Sequence, residues 1–170
     1  MAKISIERQQ EIDESVNQVL LQTNKSYPED NLLDIVKSLD IAVRVTDFDE
    51  FSNDISGVIH YGDKENKPII YLNEDTPPER QTFTLAHELG HFLLHEHDKS
   101  KLRIDKFNYQ AKTKEAKEET EANYFAASLL MPKDKFREVL NWTYESKEVA
   151  KYFGVSEAAV VNRIRWLEMN

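Results

Sequence analysis

The 170-residue chain contains no cysteine, which excludes disulfides and every cysteine-based zinc or redox site. Any metal it binds must be held by nitrogen and oxygen ligands. No apolar run approaches the ~18 residues that a membrane-spanning helix needs. The opening MAKISIERQQEIDE turns polar and acidic at once, without the apolar stretch of a secretory leader. A cytoplasmic protein is the simplest reading. Internal repeats and low-complexity linkers are missing as well. So is an excess of positive charge: the net charge is −9, with 8 Lys/Arg against 17 Asp/Glu in residues 1–80 and 14 against 14 in residues 81–170. That balance gives no long-range attraction to nucleic acid or to an anionic membrane.

What is present reads as a soluble globular chain, 40% hydrophobic and 31% charged. Its length suits one domain with a small appendage. Ile12, Val16, Val19 and Leu20 recur at helical spacing within residues 5–24. Pro28 is expected to open a second helix, with Leu32, Leu33, Ile35, Val36 and Leu39 as its buried stripe. IAVRV (41–45), ISGVIHY (55–61) and PIIYLN (68–73) read as three strands, the last two forming an antiparallel hairpin. Thr76-Pro77-Pro78-Glu79 has the residues of a capping box and begins a helix over about 77–95. Residues 96–112 read as a long lysine-rich loop, able to fold over a neighbouring cleft. Further helices are expected at about 114–130, 133–141, 146–153 and 156–168, with breaks at Met131-Pro132 and Gly154.

The helix over 77–95 contains HELGH (87–91), an H-E-x-x-H pattern. Residues four apart stand one above the other on a helix, so His87 and His91 can reach one metal ion. Glu88 lies 100° round and can reach a water on that metal and take its proton. Phe83, Leu85, Ala86, Leu89, Phe92 and Leu93 surround the motif with apolar side chains, so the helix should be buried. Burying two histidines and a glutamate there is costly unless they are paired or bind metal.

Several residues compete to complete the site. His95 lies about 12 Å of helix rise from His87, too far for one tetrahedral ion, and suits a supporting role. His97 falls where metzincins place a third histidine, but that pattern needs glycine where Leu94 stands. Glu119 is the stronger candidate. It shares a helix face with Ala122, Asn123, Ala126 and Leu130, small enough beside the glutamate to let two helices approach. Glu115 shares that face one turn earlier and stays in reserve, while Glu118 and Glu121 should be solvated. Asn123 is placed to hydrogen-bond a ligating histidine and fix its tautomer.

FTLAHELGHFLLH (83–95) followed by ETEANYFAASLLMP (119–132) resembles the ImmA/IrrE family of bacterial and phage zinc metallo-endopeptidases. In that family an E-x-x-[AC]-N-x-F-A-x-x-L-L-x-P block follows the H-E-x-x-H helix. The resemblance implies His87, His91 and Glu119 as zinc ligands and Glu88 as the catalytic base. It extends loosely over residues 55–168. The implied fold is α+β: a zincin-like metallopeptidase core with a small mixed or antiparallel three-stranded sheet packed on helices. Residues 1–132 would form that domain with its N-terminal helices. Residues 133–170 would form a C-terminal helical, helix-turn-helix-like tail packed on the core.

The tail segment VAKYFGVSEAAVVNRIRWL (149–167) has the pattern of a helix-turn-helix. Yet Arg163 and Arg165 are balanced by Glu157 and Glu168, so phosphate binding is poorly driven and packing on the core is expected instead. The implied activity is narrow-specificity endopeptidase cleavage of a helix-turn-helix transcriptional repressor, releasing mobile-element or stress genes. A substrate would lie extended along a sheet edge, with PIIYLN as the candidate, and the acidic half would favour a basic partner. The alternative is a non-proteolytic regulator that sequesters a repressor or DNA, for which an intact Glu88 is not required. A purely structural metal site usually fills all four positions with protein ligands. For the oxyanion donor, Tyr124, Tyr109, His95 and Arg103 are equal candidates.

Overall fold

Ser5 opens the first helix by accepting a hydrogen bond from the Arg8 N–H, and Asn24 closes it in the left-handed conformation. This helix, α1 (Ile6–Thr23), buries Ile12, Val16 and Val19, the expected stripe. The computed structural model describes residues 4–48, 55–62, 67–95, 103–106 (backbone) and 114–168. The second helix, α2 (Leu32–Ser38), starts at Asn31 rather than at Pro28. The Asn31 side chain accepts from the Leu33 N–H at 2.8 Å, whereas Pro28 follows a cis peptide bond.

Four strands form one sheet in the order β1-β3-β2-β4: β1 (Ala42–Thr46), β2 (Ile55–His60), β3 (Ile69–Asn73) and β4 (Arg103–Lys106). The β2–β3 pair is the expected antiparallel hairpin, with Gly57 opposite Leu72. β1 joins β3 in parallel, with Ala42 opposite Ile69. Two expectations are corrected here. PIIYLN is not an edge, because β3 lies between β1 and β2. The stretch read as loop contains a strand, since β4 pairs antiparallel with β2 through Ile59 opposite Arg103. A four-residue strand with one apolar side chain carries almost no alternation, so its pairing with β2 defines it.

Helix α3 (Pro78–Leu94) lies between the sheet and α4 (Lys114–Leu130). Every residue from Thr84 to His91 is buried, as a central helix requires. Its start differs in detail from the sequence reading. The Thr76 hydroxyl donates to the Asn73 carbonyl, and no side chain caps the helix. Two glycines set the distances to its neighbours. A Cβ on Gly57 would lie 2.4 Å from Thr84 Cγ2 and 3.6 Å from Glu88 Cγ, so β2 reaches α3 only because position 57 is bare. A Cβ on Gly90 would meet the Phe125 ring at 3.1–3.2 Å, which fixes the approach of α4.

The chain ends with α5 (Lys133–Trp142), α6 (Ser146–Phe153) and α7 (Glu157–Glu168). Gly154, at φ 64°, turns the chain between the last two. Arg163 of α7 is 1% exposed and donates to the Met131 carbonyl at 3.1 Å and to Ser128 Oγ at 3.0 Å. Ser128 donates in turn to Asp13 of α1 at 2.9 Å, and the Tyr124 hydroxyl donates to the same carboxylate at 3.2 Å. One of the two arginines weighed for phosphate contact is therefore enclosed by α4. No helix among the described residues is long and apolar enough to cross a membrane.

Candidate metal centre

The H-E-x-x-H spacing does what helical geometry dictates. His87 and His91 project from one face of α3 and bring their Nε2 atoms 3.0 Å apart. Across the seam, α4 supplies Glu119, with Oε2 3.2 Å from His87 Nε2 and Oε1 3.1 Å from His91 Nε2. All three residues are buried. A tetrahedral ion with 2.0–2.1 Å bonds sets its ligand atoms about 3.3 Å apart, close to these separations. Among the described residues this is the group of three whose donor atoms converge on one point.

Hydrogen-bond direction tests the fit of a cation. The Asn123 Oδ1 atom lies 3.0 Å from His87 Nδ1 and, as an amide oxygen, can only accept. The Nδ1 atom therefore carries a proton, and a neutral ring would turn a lone pair on Nε2 toward the Glu119 carboxylate. Two acceptors at 3.2 Å need positive charge between them. Burial alone would raise the Glu119 carboxyl, but hydrogen bonds with His87 and His91 and their charge hold it well below the ordinary carboxylate range. A divalent ion held by two nitrogens and a carboxylate meets the same demand, and the donor set suits one.

Glu88 follows His87 on the helix and is 0% exposed, on the side where β2 passes at Gly57. His91 Nδ1 lies 3.0 Å from His95 Nδ1, and His95 Nε2 lies 3.3 Å from Glu121 Oε2. Arg8 of α1 donates to that same oxygen at 2.7 Å. The expectation that Glu121 is solvated is thus overturned: it is 3% exposed. It stands about 200° round α4 from Glu119, where α1 covers the helix and brings a guanidinium. Burial would raise its carboxyl, but the Arg8 hydrogen bond and charge, with His95, bring it below the usual range. Glu118 is half-buried and pairs with Lys114 at 3.7 Å, while Glu115 is exposed and outside the converging group.

A family model described as the IrrE N-terminal-like domain, a peptidase family, matches residues 36–165. The chain belongs to that family. Its fold is accordingly the α+β, zincin-like one, with the sheet packed on helices and helices at the C-terminus. Two relatives are similar over shorter spans. Metallopeptidase ImmA of Bacillus subtilis is 28% identical over 102 residues, 59% of this chain and 57% of that protein. The radiation response metalloprotease IrrE of Deinococcus radiodurans is 40% identical over 72 residues, 42% of this chain and 22% of that protein. The chain thus spans little more than half of one relative and under a quarter of the other. A Mycobacterium tuberculosis transcriptional regulator shares the fold, with TM-score 0.59 at 16% identity, covering 90% of this chain and 46% of that one.

The structure of this family member brings His87, His91, Glu119, Asn123 and His95 together, with Glu88 beside them. It does not bring in Tyr124, whose hydroxyl is turned toward Asp13 on α1 and whose ring packs edge-on against Trp166. The His95 ring is engaged with His91 and Glu121. His97 and Tyr109 lie outside the described residues, as does the side chain of Arg103. Sequence reasoning missed Arg8 and Glu121. They are 113 positions apart, and nothing local to either signals the contact.

Proposed function

We propose that the chain is a zinc-dependent endopeptidase of narrow specificity, with Glu88 as general base and a helix-turn-helix repressor as substrate. The observation that carries this reading is the convergence of His87 Nε2, His91 Nε2 and the Glu119 carboxylate, three protein ligands, beside a buried Glu88 on the same helix. Among the described residues three ligands converge, and a three-ligand site with a tetrahedral position open to water or substrate is the arrangement of a catalytic rather than a structural site. Zinc bound there supplies a Lewis acid that lowers the pKa of water and polarises the peptide carbonyl. Glu88 takes the proton from the attacking water and delivers it to the leaving amine. Asn123 holds the His87 ring in the tautomer that ligates, and His95 supports His91.

The peptide is best accommodated along β4, the edge strand beside β2 among the described residues, rather than along β3. A cavity of about 190 Å³ beside Asn123, lined by Phe83, Ala127, Ala159 and Trp166, has room for one apolar substrate side chain. The excess of 17 acidic over 8 basic residues in positions 1–80 favours a basic partner. Such a repressor places the reaction in the cytoplasm, where its cleavage would release mobile-element or stress genes.

The deciding experiment compares wild type with Glu88→Gln for bound metal and for cleavage of the repressor encoded nearest the gene. We expect about one zinc per chain in both, and cleavage by wild type alone. Zinc in both with cleavage by neither, while the repressor still leaves its DNA, would replace the peptidase with a sequestering regulator.

A further inference from the structure

His87 and His91 are the paired rings of the centre, but they are held in different ways. The Nδ1 atom of His87 meets Asn123 on α4. His91 is backed by a chain of side chains that leaves the seam and ends on α1. We propose that Arg8, Glu121 and His95 form a positioning relay that locks His91 as an Nε2 ligand, so that the N-terminal helix is a working part of the metal centre.

The direction of each bond follows from chemistry. Arg8 is donor-only, and its Nη2 donates to Glu121 Oε2 at 2.7 Å. The ionised carboxylate is acceptor-only, so His95 Nε2, at 3.3 Å from the same oxygen, is the protonated nitrogen. A His91 that ligates through Nε2 carries its proton on Nδ1, which donates to a neutral His95 Nδ1 at 3.0 Å. That leaves the lone pair of His91 on Nε2, the atom 3.1 Å from Glu119 Oε1. The opposite polarity would put a proton on His91 Nε2 and block it as a ligand.

The components are built to stay in place. The side chains of His95 and Glu121 are 5% and 4% exposed. His95 lies just past the end of α3, where its backbone N–H donates to the His91 carbonyl at 3.3 Å, so the ring folds back beside His91. Arg8 is steadied by Glu11 at 2.8 Å, and the second oxygen of Glu121 meets Lys117 at 3.7 Å. Arg8 lies outside residues 36–165, the span the family model matches. The relay therefore ties the centre to a helix that the shared pattern does not include.

The inference rests on the metal reading of His87, His91 and Glu119, and the test separates the two. Zinc affinity is measured by chelator competition on the full chain for wild type, His95→Phe, Glu121→Leu and Arg8→Met. Melting of the metal-free proteins and the His91 tautomer by nitrogen NMR are recorded alongside. His95→Phe and Glu121→Leu should weaken zinc about 10–100-fold, Arg8→Met less, and the His91 signal should become a tautomer mixture. Glu121→Gln and Arg8→Lys, which keep an acceptor and a donor in place, should stay near wild type. Asp13→Asn, at another α1–α4 contact, controls for loosened helix docking and should leave affinity unchanged. Relay variants that bind zinc as tightly as wild type would overturn the proposal. So would an equal loss in Asp13→Asn. Wild type that binds no zinc would instead overturn the metal reading beneath it.

Discussion

Two of the buried polar clusters on helix α4, one toward each end, are opposites. Toward the C-terminal end, Ser128 and Tyr124 meet Asp13 and Arg163, and the cluster contains its own cation. Its proton donors and acceptors alternate: guanidinium to hydroxyl, hydroxyl to carboxylate. Near the N-terminal end, Glu119 faces two imidazoles, one of them with its Nε2 turned inward by Asn123. There the positive charge comes either from protonating an imidazole or from a bound ion. Both clusters are similarly buried, so burial alone does not separate them. The sign of what is missing does. A balanced cluster staples helices together, and an unbalanced one waits for a ligand.

Exchanging the expected responses of the two clusters would break this contrast. The largest effect is expected from Glu119→Ala, which should abolish stoichiometric zinc binding, measured by metal analysis after dialysis. Arg163→Met should do the reverse. It should cost about 3 kcal/mol in denaturant unfolding by leaving the Ser128–Asp13 pair without its cation, and leave zinc content unchanged. Adding zinc at 100 times its dissociation constant should stabilise wild type by about 2.7 kcal/mol and Glu119→Ala by nothing. The smallest effect sharpens the comparison. Glu119 and Ser128 are about 13.5 Å apart along the helix, so the stability costs of the two substitutions should add to within about 0.5 kcal/mol. Strong coupling between them would mean one network rather than two.

The sequence revealed the two clusters unequally. HELGH places both imidazoles by helical spacing alone, and the small residues at 122 and 126 mark the face from which Glu119 reaches them. Those signals are local, repeating every three or four positions. The helices from α3 onward were readable for the same reason. Arg163 looked like a surface charge because its partners, Ser128 and the Met131 carbonyl, come from more than 30 positions away. Glu121 looked solvated because the guanidinium that receives it belongs to α1. β4 was invisible because RIDK has no apolar alternation and becomes a strand only through β2. The miss at Pro28 was of another kind: two start signals compete within four residues, and the Asn31 side chain caps the helix.

The contact between Gly90 and the Phe125 ring has a consequence for metal choice. The two imidazoles stand on α3 and the carboxylate on α4, so the gap offered to an ion is the gap between two helices. With a hydrogen at position 90, that gap is gauged by the thickness of one aromatic ring. Two nitrogens and one oxygen discriminate poorly among first-row divalent ions. The width an ion would meet there is thus set by an apolar contact one residue from His91, which carries no charge.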